Sequence, residues 1–186
     1  RISSEARSWR LRARPALHLL TRGRSASVRM TRIPWIMTAM SLSSAHFRHP
    51  IRVYWEDTDA GGIVFYGNYL KFMERARTEW LSSLGFEQED MRQSGEGMFV
   101  VADTQMRFIK PARLDDRLTV TVTVAEVGRS SVAFQQDVWR GETRLTQGQV
   151  RIGWVQSKAG QDSLKPGRIP ERILAVLPAP HSTSGA

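Results

Sequence analysis

The sequence contains no cysteine. Disulfides, thiolate zinc sites and cysteine nucleophiles are therefore excluded. Its four histidines, His18, His46, His49 and His181, leave residues 51–180 without any. A fold built from that stretch has no histidine for a Ser-His-Asp triad or a metal site. There is no G-x-S-x-G elbow, no phosphate-cradling G-x-x-x-x-G-K loop and no G-x-G-x-x-G fingerprint. No apolar run approaches the length of a membrane span, so no transmembrane segment is expected. If the chain is an enzyme, carboxylates are its best chemical tools.

The charge is unevenly placed. The chain of 186 residues carries a formal net charge of +9, yet residues 1–50 hold ten arginines against one acid, Glu5. Residues 51–186 hold 17 basic and 17 acidic residues. The basicity belongs to a leader, and a balanced remainder counts against a nucleic-acid-binding core. The leader, residues 1–45, is rich in Arg and Ser with scattered apolar residues, a poor secretory signal. It reads as a transit-like presequence, a basic disordered arm, or sequence upstream of a start at Met37 or Met40. One domain is expected over residues 46–177, followed by an unstructured tail, 178–186.

Within that domain the hydrophobic periods give one long helix and several strands. Residues 51–56 read as a first strand, with Val53 and Trp55 alternating against Arg52 and Tyr54. Residues 67–84 are helical: Tyr69, Met73, Ala76, Trp80 and Leu84 recur at steps of three and four, with Leu70, Arg77 and Leu81 alongside. Asn68 is the expected N-cap and Gly85 the terminator. Further strands are expected at 98–110, 118–124, 130–139 and 144–156. Close spacing implies antiparallel hairpins, and hence an α+β domain with one long helix on a curved sheet of about five strands. Such a sheet leaves edges for pairing with another subunit.

Between the first strand and the helix lie three carboxylates, Glu56, Asp57 and Asp59, and then Gly61-Gly62. The ordinary reading is a turn, closed by Asp side chains with glycines supplying positive φ. A second reading is chemical: an acid aimed at the unpaired N–H groups of the next helix, a place for hydrolysing an acyl group. Glu56 is expected to face solvent or a subunit and Asp57 to shape the turn. Glu74 and Arg75 are read as a helix ion pair or solvated face, and Asp115-Asp116 as the turn into the next strand.

The run Y-W-E-D-T-D-A-G-G-I-V-F-Y-G-N-Y at 54–69, E-R-A-R-T-E-W-L at 74–81 and P-A-R-L-D-D at 111–116 together resemble the 4-hydroxybenzoyl-CoA thioesterase family, most of all its Tol–Pal-associated (YbgC-type) acyl-CoA thioesterase branch. The resemblance covers about residues 47–177. It implies a hotdog fold and a cytoplasmic hydrolase of acyl-CoA thioesters. It also implies no cofactor beyond the coenzyme A of the substrate. By resemblance, the catalytic acid is Asp59, as nucleophile or as general base, and the backbone N–H of Tyr66 polarises the thioester carbonyl. Gly62 and Val64 fall beside the substrate, and Arg129 or Lys110, with Arg113 a further alternative, falls near the coenzyme A phosphates. Implied partners are acyl-CoA or an acyl-carrier protein, and further copies of the chain as homodimer or homotetramer.

Two other classes stand beside the enzyme. One is a non-catalytic acyl-thioester or acyl-carrier-protein binding module of the cell envelope, which would have no need of Asp59. The other is a nucleic-acid or membrane binder resting only on residues 1–45. Thioester hydrolysis is expected to survive deletion of residues 1–36, because the charge excess lies upstream of the first strand. A truncated protein that is insoluble or inactive where the full chain works would refute this.

Overall fold

The structure, a computed structural model, describes residues 45–157 and 164–180. The expectations for the leader, and for residues 181–186 of the tail, lie outside the described residues. Six strands and three helices are described: β1 (Phe47–Arg52), α1 (Asn68–Ser83), α2 (Gln88–Gln93), β2 (Met98–Phe108), β3 (Arg117–Val127), β4 (Ser131–Arg140), β5 (Thr143–Ser157), β6 (Leu164–Pro166) and α3 (Glu171–Leu174). The sheet is antiparallel in the order β1-β3-β4-β5-β2, with the short β6 also on β5.

Alternation in the strands gives the sheet one apolar face. Leu118, Val120, Val122 and Val124 of β3 are all buried. They continue into β4 and β5 through the pairs Val120–Val138, Val124–Phe134, Phe134–Val150 and Val132–Ile152. α1 lies on this face with Tyr69, Phe72, Met73, Ala76, Trp80 and Leu81 buried. Trp80 meets Phe134 edge-on at 5.2 Å, a favoured ring geometry. Gly148 permits the close approach: a Cβ there would lie 2.7 Å from Met73 Cε and 3.1 Å from the Gln136 carbonyl. The Gln136 amide, fully enclosed, donates to the Met73 carbonyl at 3.1 Å and pins helix to sheet.

The expected helix stripe holds at Tyr69, Met73, Ala76, Trp80 and Leu81, but Leu70 faces outward and Phe72 takes a core position instead. Gly85 ends the helix at φ 87°. Its N–H donates to Ser82 O and that of Phe86 to Leu81 O, the paired bonds of a Schellman end. The cap at the other end differs from expectation. Gly67 holds the cap position, and Asn68 enters the helix with its side chain donating to Asp57 O at 3.0 Å.

The first strand also differs. It runs over Phe47–Arg52 rather than 51–56, pairing with β3 from Phe47–Val122 to Arg52–Arg117. Pro50 is tolerated because β1 is an edge strand. The chain leaves the strand because Asp57 Oδ2 accepts the Tyr54 N–H at 2.9 Å while the Asp57 N–H donates to Tyr54 O. This local closure outcompetes the ladder and winds Trp55–Asp57 into a 3-10 turn. Trp55 is consequently 78% exposed instead of alternating into the core. α2, α3 and β6 were not expected; each is too short to show a period.

Phe72→Ala is expected to cost about 3–5 kcal/mol, since a fully enclosed ring leaves a cavity. Glu79→Ala, on the exposed face of α1, should stay within about 0.5 kcal/mol. Denaturant unfolding of the two variants checks the assignment of helix faces.

Candidate active site

Residues 58–64 form a tight hairpin closed by the Thr58–Val64 bridge. Inside it the Asp59 N–H donates to Ile63 O at 3.1 Å, and the Gly62 N–H to Asp59 O at 3.0 Å. Gly62 takes φ 69°, which glycine adopts without a Cβ penalty. The Asp59 carboxylate is exposed, and its Oδ1 accepts the Gly61 N–H at 2.8 Å. One carboxylate oxygen is thus held by the turn. The turn reading of the sequence is therefore correct as geometry, and it is also what orients the acid.

The hairpin is fixed from both sides. Upstream, Asp57 O accepts both the Phe65 N–H at 2.9 Å and the Asn68 amide at 3.0 Å, tying the turn to the first residue of α1. Downstream, the Val64 N–H donates to Ala112 O at 2.9 Å, while the Ala112 N–H donates to the Tyr69 hydroxyl at 2.9 Å. Burial raises the Tyr69 phenol pKa, with the Ala112 N–H acting against the rise. One residue, Ala112, therefore joins the hairpin to the first turn of the helix through its two backbone polar groups. Among the described residues no backbone acceptor takes the Tyr66 N–H. It is a free donor at the positive end of a 16-residue helix.

Beside the hairpin is a mainly apolar cavity of about 290 Å³, walled by Ile63 and Val64, by Tyr66 and Tyr69, and by the segment Phe108 to Pro111. Val64, Tyr66 and Lys110 thus share one space. Asp59 and Gly62 sit on the turn that leads to it and do not line it. Arg129 is not brought there: it lies in the β3–β4 turn, where its carbonyl accepts the Ile169 N–H, whereas Phe108 pairs with Thr146 at the other end of the sheet. The pairs Ser131–Gly153 and Val138–Thr146 mark those ends, on the order of 20 Å apart along the strand.

The remaining acids behave structurally. Asp57 is buried in the 3-10 turn. Glu56 is exposed, and Glu74 accepts the Thr78 hydroxyl at 2.9 Å rather than pairing with Arg75. Asp115 takes φ 65° in the turn before β3 and pairs with Arg52, and Asp116 accepts the Arg113 N–H and pairs with Arg140. Three positioning residues escaped the sequence: Asn68, Tyr69 and Ala112. The N-Y pair directly after Gly67 was the available signal, but it reads as cap and stripe. No group of three or more His, Asp or Glu among the described residues is placed to hold a metal ion.

A sequence profile of the thioesterase superfamily matches residues 61–147. The chain is 37% identical over 131 residues to the acyl-CoA thioesterase YbgC of Haemophilus influenzae, covering 70% of this chain and 93% of the relative. It is 36% identical over 135 residues to the acyl-CoA thioester hydrolase YbgC of Escherichia coli O6:H1, covering 72% and 97%. Among solved structures, a probable thioesterase from Bartonella henselae superposes with a TM-score of 0.59 at 30% identity, over 68% of this chain and 99% of that one. On profile, relatives and architecture together, the chain belongs to the thioesterase superfamily of hotdog-fold enzymes.

Proposed function

We propose that the chain hydrolyses acyl-CoA thioesters to a free acid and coenzyme A, with Asp59 as the reacting carboxylate and the Tyr66 N–H as the oxyanion donor. The observation that carries this reading is the hairpin: it holds an exposed carboxylate by one oxygen, on the turn that leads to an apolar cavity lined by Tyr66, whose amide is unpaired at the helix N-terminus. Relatives named as acyl-CoA thioester hydrolases favour the same substrate class.

The chemistry follows from those groups. The acyl group enters the apolar cavity, and its thioester oxygen accepts the Tyr66 N–H. Attack by Asp59 on the carbonyl carbon makes a tetrahedral oxyanion, whose charge grows where the helix end is positive. Collapse expels the coenzyme A thiolate and leaves a mixed anhydride, which water then opens to regenerate the carboxylate. In the general-base variant, Asp59 takes the proton of a water that attacks the same carbon. Both routes use the same two groups. Lys110, on the cavity wall, is the cation available to the coenzyme A phosphates within one chain.

The working unit in this proposal is a homodimer, or a tetramer of dimers, paired through β2. β2 is the outermost strand of its side of the sheet, and Val101, Phe108 and Ile109 along it are each more than two-fifths exposed. A long free edge with apolar side chains invites a partner strand. Antiparallel pairing of two β2 strands would set the Phe108 end of one chain beside the Val100 end of its partner. The partner's β3–β4 turn, with Arg129, would then flank the cavity that Lys110 lines. The described residues contain no helix long and apolar enough to cross a membrane.

Asp59→Asn is expected to lower hydrolysis by at least about 10²–10⁴ without loss of folding. Asp57→Asn should act more mildly and through stability, since the Asp57 carboxylate closes the 3-10 turn. Steady-state kinetics on both variants, with circular dichroism to monitor folding, tests the assignment. Turnover of Asp59→Asn near that of the unmodified chain would sink it. Light scattering should give a mass of two or four chains, and a charge placed at the edge, Val101→Lys, should shift it toward one. A fully active monomer would refute the β2 pairing.

A further inference from the structure

Another cavity lies under the C-terminal half of α1, away from the hairpin. It is small, about 140 Å³, with Trp80, Phe99, Phe134 and Leu177 among its walls. Its polar lining is Glu74, Arg77, Thr78 and Gln88. Three of these satisfy one another: the Gln88 amide donates to the Thr78 hydroxyl at 2.7 Å, and that hydroxyl donates to Glu74 at 2.9 Å. Arg77 stands apart.

Arg77 sits on the packed side of α1, between Met73 one turn before and Trp80 and Leu81 after. Its guanidinium is half-buried, and burial lowers its pKa. Its one hydrogen bond among the described residues is from Nη1 to Gln136 Oε1, at 2.6 Å. Gln136 is itself committed through its amide to the Met73 carbonyl, so it holds one corner of the guanidinium fork in place. Among the described residues no carboxylate lies within ion-pair distance of Arg77. By contrast Arg52, Arg92, Arg140, Arg144, Arg151 and Arg172 each reach an acid. Glu74, one helical turn away and exposed, raises the Arg77 pKa, but burial is the larger effect.

A guanidinium has five N–H donors, and here one is used. Leaving a partly desolvated charge unpaired is costly, and a ligand that supplies the counter-charge recovers that cost. The planar fork fits a carboxylate in bidentate fashion. Apart from those four polar residues the walls are aromatic and aliphatic, and with Arg77 as their one cation and Glu74 beside it they are unsuited to the extra charge and oxygens of a phosphate. We propose that this cavity is a carboxylate-binding site, in which Arg77 receives the carboxylate of a short-chain acid whose apolar body packs against Trp80, Phe99 and Phe134. A space of about 140 Å³ limits the ligand to an acid of a few carbons. The source of the carboxylate is a free acid, such as the product of the hydrolysis proposed above.

The test is calorimetric titration of the full chain with sodium butyrate and, separately, with butyramide. Butyrate should bind at least about tenfold more tightly than its neutral amide. Arg77→Met should bring butyrate down to the level of butyramide, and Arg77→Lys should keep part of the difference. Equal binding of the two probes, no butyrate binding at millimolar concentration, or undiminished binding by a folded Arg77→Met protein would overturn the proposal. Should Arg77→Met fail to fold, the contrast between probes on the unmodified chain decides alone. The titration is repeated on Asp59→Asn, so that failure of the hydrolytic reading and failure of this one are seen separately.

Discussion

The structure depends on the removal from water of one stripe of α1. Phe72, Met73 and Ala76 are entirely enclosed by the sheet, and burial of side chains of this size contributes roughly 1.5–3 kcal/mol each for the larger two. The sheet curves to achieve it, aided by irregularities in register at Val101/Asp103 in β2 and Val124/Glu126 in β3. Everything at the site is downstream of that packing. Once the stripe is seated, the direction of α1 is fixed, and so is the place where its unpaired amides emerge.

The first turn of the helix then acts as an anchor. Asn68 and Tyr69 are consecutive, so their side chains leave the helix about 100° apart. One reaches the chain before the hairpin, at Asp57 O, and the other reaches the chain beyond it, at the Ala112 N–H. Two adjacent residues thereby hold both flanks of the turn that carries Asp59. Preorganisation of this kind matters because an acid and an amide can cooperate only when their separation is set before substrate arrives.

The elements with long periods were readable from the sequence. β3, β4 and β5 followed their alternation to within a few residues, and α1 ended at Gly85 as its chemistry requires. What escaped was local competition and side-chain reach. The Tyr54–Asp57 closure that ends β1 early is invisible to alternation, because Val53 and Trp55 still alternate on paper. Leu70 lies two residues from Phe72, about 200° around the helix axis, so the face that buries Phe72 turns Leu70 to solvent. At the site, Asp59 and the Gly61-Gly62 turn could be singled out from residue type and order. The partners that hold them could not, since Ala112 lies about fifty residues away and offers only its backbone. The isolation of Arg77 likewise depends on which acids fail to reach it, a property of distances alone.

Ala112 couples the hairpin to the helix through its backbone. Its carbonyl and its N–H are both spoken for, by Val64 on one side and Tyr69 on the other. The hairpin therefore cannot detach as an ordinary surface loop does, by sampling open forms independently of the core. Releasing Val64 leaves Ala112 still tied to the helix, and releasing Tyr69 leaves it still tied to the hairpin. Seen through the exchange of amide protons with solvent, Val64 and Ala112 belong with α1 to one cooperative opening unit. Geometrically the turn is a loop. Thermodynamically it is a piece of the core that happens to face water.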